Sequence, residues 1–151
     1  MPGVDDFDRK LLNLLIEKGS LRYKDAAKKM GTTMGTVHNR MKALEREKIL
    51  RGFIPAIDHG KLGYDIAAII NVNIKGGHLE EIEKKYSSHK NVCCVYDVTG
   101  EADCAIIAKF KRTGDLNKFV KKLMAEPFVE RTTTNLVLEI VKENLNPFPV
   151  E

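Results

Sequence analysis

The chain has 151 residues, enough for one ordinary domain or two small ones. Its composition, 43% hydrophobic and 30% charged, is that of a globular protein and excludes a disordered or fibrous chain; no apolar run approaches the roughly 18 residues of a membrane span. The net charge of +4 is unevenly placed: residues 1–60 hold 12 Lys and Arg against 8 Asp and Glu, whereas residues 61–151 hold 13 of each. A basic head on a neutral body points to a polyanionic partner for the head and another task for the body.

The first predicted helix spans residues 5–18. Asp5 suits its N-cap, and Asp6 and Asp8 suit the positive end of its dipole. Phe7, Leu11, Leu14 and Leu15 recur at helical spacing as its buried face, with Leu12 beside it. Gly19 is its expected stop. A short second helix follows over about 24–30, with Ala26, Ala27 and Met30 inward. Gly31 supplies the sharp turn of a helix-turn-helix.

The third helix is the element around which the head is organised. Thr33 is its expected N-cap, with Thr36 in an incomplete capping box. Val37, Met41 and Leu44 form a narrow apolar stripe, and Gly35, Thr36, Asn39, Lys42, Ala43 and Arg46 fall opposite it. Small and basic residues on that side suit close approach to DNA. The candidate DNA contacts are Thr33, Met34, Gly35, Thr36, His38, Asn39, Arg40 and Lys42. Asn39 offers a bidentate amide to adenine, and Lys42 a charge to guanine or phosphate. Thr36 faces DNA or merely closes a local hydrogen bond. Arg40 suits a phosphate or an intramolecular ion pair.

Residues 51–64 read as a linker. Phe53, Ile54, Ala56 and Ile57 around Pro55 predict a short edge strand, and Asp58, His59, Gly60 and Gly63 mark a loop. The rest alternates: a strand over 65–74, a helix over 78–89, strands over 91–99 and 103–111 joined by a tight turn at 100–102, a helix over 115–126 stopped by Pro127, and a last strand within 129–141 with Leu136, Leu138 and Ile140 on one side. This βαββαβ order predicts a ferredoxin-like sheet with two helices on one face. The fold class is α+β, a helix-turn-helix (winged-helix-like) domain over 1–50 and a ferredoxin-like domain over 65–151. The central strands are apolar on both faces, so the uncovered face is expected to meet a second copy of itself.

Cys93, Cys94 and Cys104 show no metal or disulfide-framework spacing and read as small hydrophobes in a reducing cytoplasm. The polar, acidic start predicts no signal peptide. His59, His78 and His89 are scattered, and neither a zinc set nor a nucleophile arrangement nor a phosphate-cradling glycine loop is apparent. No catalytic residue, metal site or membrane partner is expected. Two readings of the residues stay open at this point. One is a ligand-responsive DNA-binding regulator; the other is a small-molecule-binding or catalytic ferredoxin-like protein whose helices serve assembly.

The motifs, in order, are Asp5-x-x-Asp8-x-x-Leu11-Leu12-x-x-Leu15, Gly31-x-Thr33-x-x-Thr36-Val37-x-x-Arg40-Met41-x-x-Leu44-Glu45, Ile49-x-x-Gly52-Phe53, Leu62-Gly63-Tyr64, Val95-Tyr96-x-Val98-Thr99-Gly100-x-x-Asp103 and Val129-Glu130-x-Thr132-x-Thr134. Together they resemble the Lrp/AsnC (feast/famine) transcriptional regulators along essentially the whole chain. The resemblance implies a cytoplasmic, DNA-binding homodimer, often built up to an octamer, with no cofactor beyond an amino-acid effector. It also implies an effector site at Thr99, Gly100, Glu101, Ala102 and Asp103 of the hairpin turn, with Thr132, Thr133 and Thr134 of the last strand. Many relatives carry Asp and an aromatic in this turn, where this chain has Glu101 and Ala102.

Overall fold

The computed structural model describes residues 4–19, 21–144 and 149–150. The chain divides into two compact units, residues 1–57 together with 143–151, and residues 58–142. Of the described C-terminal residues, 143–144 and 149–150 fall with the helical unit, the last of them against Asn13. Asn13 receives it: the Val150 N–H donates to Asn13 Oδ1 at 2.7 Å, and Asn13 Nδ2 donates to the Val150 carbonyl at 3.1 Å.

The helical unit has three helices, α1 (Asp6–Lys18), α2 (Tyr23–Met30) and α3 (Met34–Arg46). A complete capping box starts α1, with the Asp8 N–H donating to Asp5 at 2.9 Å and the Asp5 N–H donating to Asp8 at 3.3 Å. Gly31 ends α2 at φ +64°, the left-handed conformation that a side chain would strain. Leu11, Leu15, Ala26, Ala27, Val37, Met41 and Leu44 form the buried core. Leu12 joins them, while Leu14 is only half-buried. No strand forms around Pro55: residues 51–58 have no regular structure, so among the described residues the helical unit has no wing. A proline that donates no hydrogen bond, with no partner strand alongside, leaves that segment unpaired.

The second unit is a four-stranded antiparallel sheet in the order β2-β3-β1-β4, made of β1 (Ile66–Ile74), β2 (Val92–Asp97), β3 (Cys104–Phe110) and β4 (Val129–Leu136). Helices α4 (Leu79–Ser87) and α5 (Thr113–Met124) cover one face. Ile82 and Tyr86 of α4, and Phe119 and Leu123 of α5, pack with Ala68, Ile70 and Val72 of β1 and with Ile106, Ala108 and Phe110 of β3. Glu126, just past α5, takes a 2.9 Å hydrogen bond from the Tyr86 hydroxyl and a 2.7 Å ion pair from Lys85, which ties α4 to it.

The other face is buried at the Ala67–Lys109 pair and open beyond it, where it is divided. Ile69 lies directly opposite Ile107, and Cys94 and Tyr96 continue that apolar end. Asn71 and Asn73, opposite Thr133 and Arg131, make the other end polar. The last strand is shorter than its apolar alternation suggests. Leu138 and Ile140 lie beyond it and are exposed, because its pairing with β1 stops at Ala68 and Leu136, with one further bond from the Val137 N–H to the Ala67 carbonyl. A strand without a neighbour has nothing to hold its ladder.

Candidate DNA-binding helix and effector cavity

Helix α3 presents its two sides as its periodicity requires. Val37, Met41 and Leu44 are buried, whereas Met34, Gly35, Thr36, Asn39 and Lys42 are exposed. Thr33 is the N-cap: its hydroxyl oxygen accepts from the Thr36 N–H at 3.2 Å and lies 3.0 Å from the Thr36 hydroxyl. The local hydrogen bond therefore exists, and it fixes the first turn of α3 while leaving Thr36 at the surface.

Two expected DNA contacts have partners inside the unit. The Arg40 guanidinium pairs with Asp5 and, at 3.4 Å, with Asp8, and lies 5.8 Å from the Phe7 ring. Of the two roles open to it, the structure shows the ion pair. His38 packs against the Tyr23 ring at 5.6 Å. Asp8 is almost fully buried; among the described residues its Oδ1 has no hydrogen-bond partner, and Arg40 and the Asp5 N–H both meet its Oδ2. Arg40 and His38 thus fix α3 against α1 and α2.

Gly35 stands apart. A Cβ built there meets only Thr33 Oγ1, at 3.8 Å, which is ordinary contact. Internal packing does not require glycine at this position, whereas close approach by an outside surface would. The residues of α3 that stay exposed on this side are Met34, Gly35, Thr36, Asn39 and Lys42, with Arg46 one turn further on.

The polar end of the open sheet face contains a cavity of about 550 Å³, lined by Asn71, Asn73, Glu101, Ala102, Glu130, Arg131 and Thr133. That volume suits a small metabolite. Of the expected effector residues, Glu101, Ala102 and Thr133 line it. Thr132 and Thr134 sit opposite Val72 and Ile70, on the helix-covered face, because neighbours along a strand point to opposite sides. Thr99 and Gly100 belong to the hairpin turn without lining the cavity. Asp103 is occupied as well: its carboxylate accepts from the Ile74 N–H at 2.8 Å, and its own N–H donates to the Val72 carbonyl at 3.1 Å. It satisfies backbone where the β1–β4 register shifts between Asn73 and Ile74. The Asn73 amide holds the turn by donating to the Glu101 carbonyl.

Sequence reasoning missed Asn71, Asn73, Glu130 and Arg131. A signal existed for the first two. Asparagine is poorly suited to strand interiors, yet two of them alternate with Val72 and so share one face. Glu130 and Arg131 gave none, since charged residues on an exposed strand are ordinary.

The Lrp/AsnC ligand binding domain matches residues 67–147, and the AsnC-type helix-turn-helix domain matches residues 4–45. The chain belongs to the Lrp/AsnC family. An uncharacterized HTH-type transcriptional regulator of Pyrococcus furiosus is 45% identical to it over 97% of this chain and 99% of the relative. The HTH-type transcriptional regulator FL11 of the same organism is 30% identical, with 95% of each chain covered. Among solved structures, a Neisseria meningitidis transcriptional regulator in complex with L-Met has a TM-score of 0.86 at 23% identity, covering 95% of each chain. Escherichia coli AsnC has a TM-score of 0.82 at 23% identity, covering 96% of this chain and 99% of its own. This member of the Lrp/AsnC family is thus a helix-turn-helix transcriptional regulator that joins a DNA-binding domain to a ligand-binding domain.

Proposed function

We propose that this cytoplasmic regulator reads a two-fold related DNA site with paired α3 helices, and that an amino acid in the sheet cavity modulates the binding. The exposed side of α3 carries the reading. Its apolar stripe is buried, its internal ion pair is made elsewhere, and Gly35, Thr36, Asn39 and Lys42 remain for a base edge or phosphate. Two copies pair through the apolar end of the open sheet face at Ile69, Ile107 and Tyr96, with further assembly towards an octamer. Pairing sets half-sites about one helical turn, or a multiple of it, apart. The effector acts by changing how copies contact one another, and hence which DNA arrangement fits.

The test is fluorescence anisotropy on operator DNA selected from a random pool, at several salt concentrations. Asn39→Ala is expected to cost about 1–3 kcal/mol on the selected site and little on random DNA. Lys42→Ala lowers affinity and, if it meets a phosphate, reduces the salt slope by about one. Unchanged binding in both variants would remove α3 from the interface. A stable monomer by sedimentation would remove the paired arrangement.

A further inference from the structure

The charges around the sheet cavity specify more than an amino acid in general. Glu101 reaches it from the hairpin turn, Glu130 from the register shift at the start of β4, and Arg131 from the next position of that strand. Among the described residues none of these three forms an ion pair. Two carboxylates and one guanidinium therefore border one concavity with a net charge of −1. Asn71 and Thr133, directly opposite each other on β1 and β4, add neutral hydrogen-bonding groups, and Ala102 is the one lining residue with an apolar side chain.

Building on the effector reading above, we propose that the ligand is a diamino monocarboxylic acid, an amino acid whose side chain ends in a second cationic group. Its carboxylate takes the Arg131 guanidinium, which offers two parallel N–H donors. Its α-ammonium and its distal cation take the carboxylates of Glu101 and Glu130. The complex is then neutral, and each charge moved out of water meets an opposite one. A zwitterion with an aliphatic side chain leaves one of the two carboxylates without a cationic partner. An acidic amino acid places its second carboxylate against Glu101 and Glu130. A diamine without a carboxylate leaves Arg131 unmatched.

Isothermal titration calorimetry of the full chain with L-lysine, L-ornithine, L-leucine, L-glutamate and cadaverine tests this. L-Lysine or L-ornithine is expected to bind at least about tenfold tighter than L-leucine and cadaverine, with L-glutamate weakest, since each lost charged hydrogen bond is worth a factor of about ten or more. Glu101→Gln and Glu130→Gln should each weaken L-lysine about tenfold, and Arg131→Gln should erase its advantage over cadaverine. All three side chains lie on the surface, and melting curves equal to the parent's confirm that the variants fold. Tighter binding of L-leucine or L-glutamate would overturn the diamino assignment while leaving an amino-acid effector in place. L-Lysine binding that survives all three substitutions would move the ligand to another site and overturn it as well. Heat from none of these ligands, nor from any other common amino acid, would remove the effector reading itself.

Discussion

In the helical unit, Arg40 of α3 is held by Asp5 and Asp8 of the first helical segment. In the sheet unit, Arg131, Glu101 and Glu130 border one cavity with no ion pair among the described residues. The same side-chain chemistry thus serves two ends. A guanidinium that closes a circuit with a buried carboxylate fixes the angle at which a helix is presented. A guanidinium left without a carboxylate beside a cavity is available to a ligand. Position on an exposed helix is therefore a weaker sign of a contact than the absence of an internal partner.

The largest effect tests whether the two units stand separately. Leu44→Ala empties a buried site under α3 and should cost the helical unit about 2–5 kcal/mol, read by urea denaturation. DNA binding is expected to fail while calorimetric ligand binding by the sheet survives. Joint loss of both would show that the units fold as one.

The next sharpens the comparison of the arginines. Arg40→Ala leaves the buried Asp8 carboxylate unmatched and should destabilise the chain by about 1–3 kcal/mol. Arg131→Ala, at an exposed position, should stay within about 0.5 kcal/mol. Equal losses in the two denaturation curves would mean that Arg131 also has a structural task.

Gly35 separates stability from recognition. Gly35→Ala makes only ordinary contact with Thr33 and removes a flexible residue from a helix, so the melting temperature should rise, by the equivalent of roughly 0.5–1 kcal/mol. The same methyl group should lower DNA affinity if the α3 backbone approaches DNA closely. A gain in both would place Gly35 outside the interface.

The smallest effect is one of pH. The backbone hydrogen bond from the Asp8 N–H holds the Asp5 carboxyl below the usual carboxylate range, and the Arg40 guanidinium adds to this. The folded value lies below the unfolded one, so the unfolded chain takes up the proton first. This contribution is complete above the ordinary carboxylate range and is lost as pH falls through the lowered folded value. Melting curves recorded down the acid limb should fall less steeply for Asp5→Asn than for the parent.

Much of this architecture is legible before folding. Helical spacing at Leu11, Leu15, Val37, Met41 and Leu44 marks the head, and Gly31 marks its turn. The apolar run from Ile66 to Ile70, continued by Val72 and Ile74, marks the central strand. Each is a local property, because backbone geometry fixes which side chains share a face. The order of those elements then restricts the sheet to very few topologies.

What the tertiary structure alone decided depends on atoms far apart in sequence. Arg40 meets Asp8 across 32 residues and Asp5 across 35, so no spacing rule separates that ion pair from a phosphate contact. The three adjacent threonines look alike until strand pairing sends Thr133 to the cavity and Thr132 and Thr134 to the opposite face. The return of the C-terminal segment to Asn13 spans 137 residues. The sequence by itself determined which elements form and which faces they bury. Only folding decided which polar groups found partners, since hydrogen bonds and ion pairs act over a few ångströms and follow the packing that the apolar pattern drives.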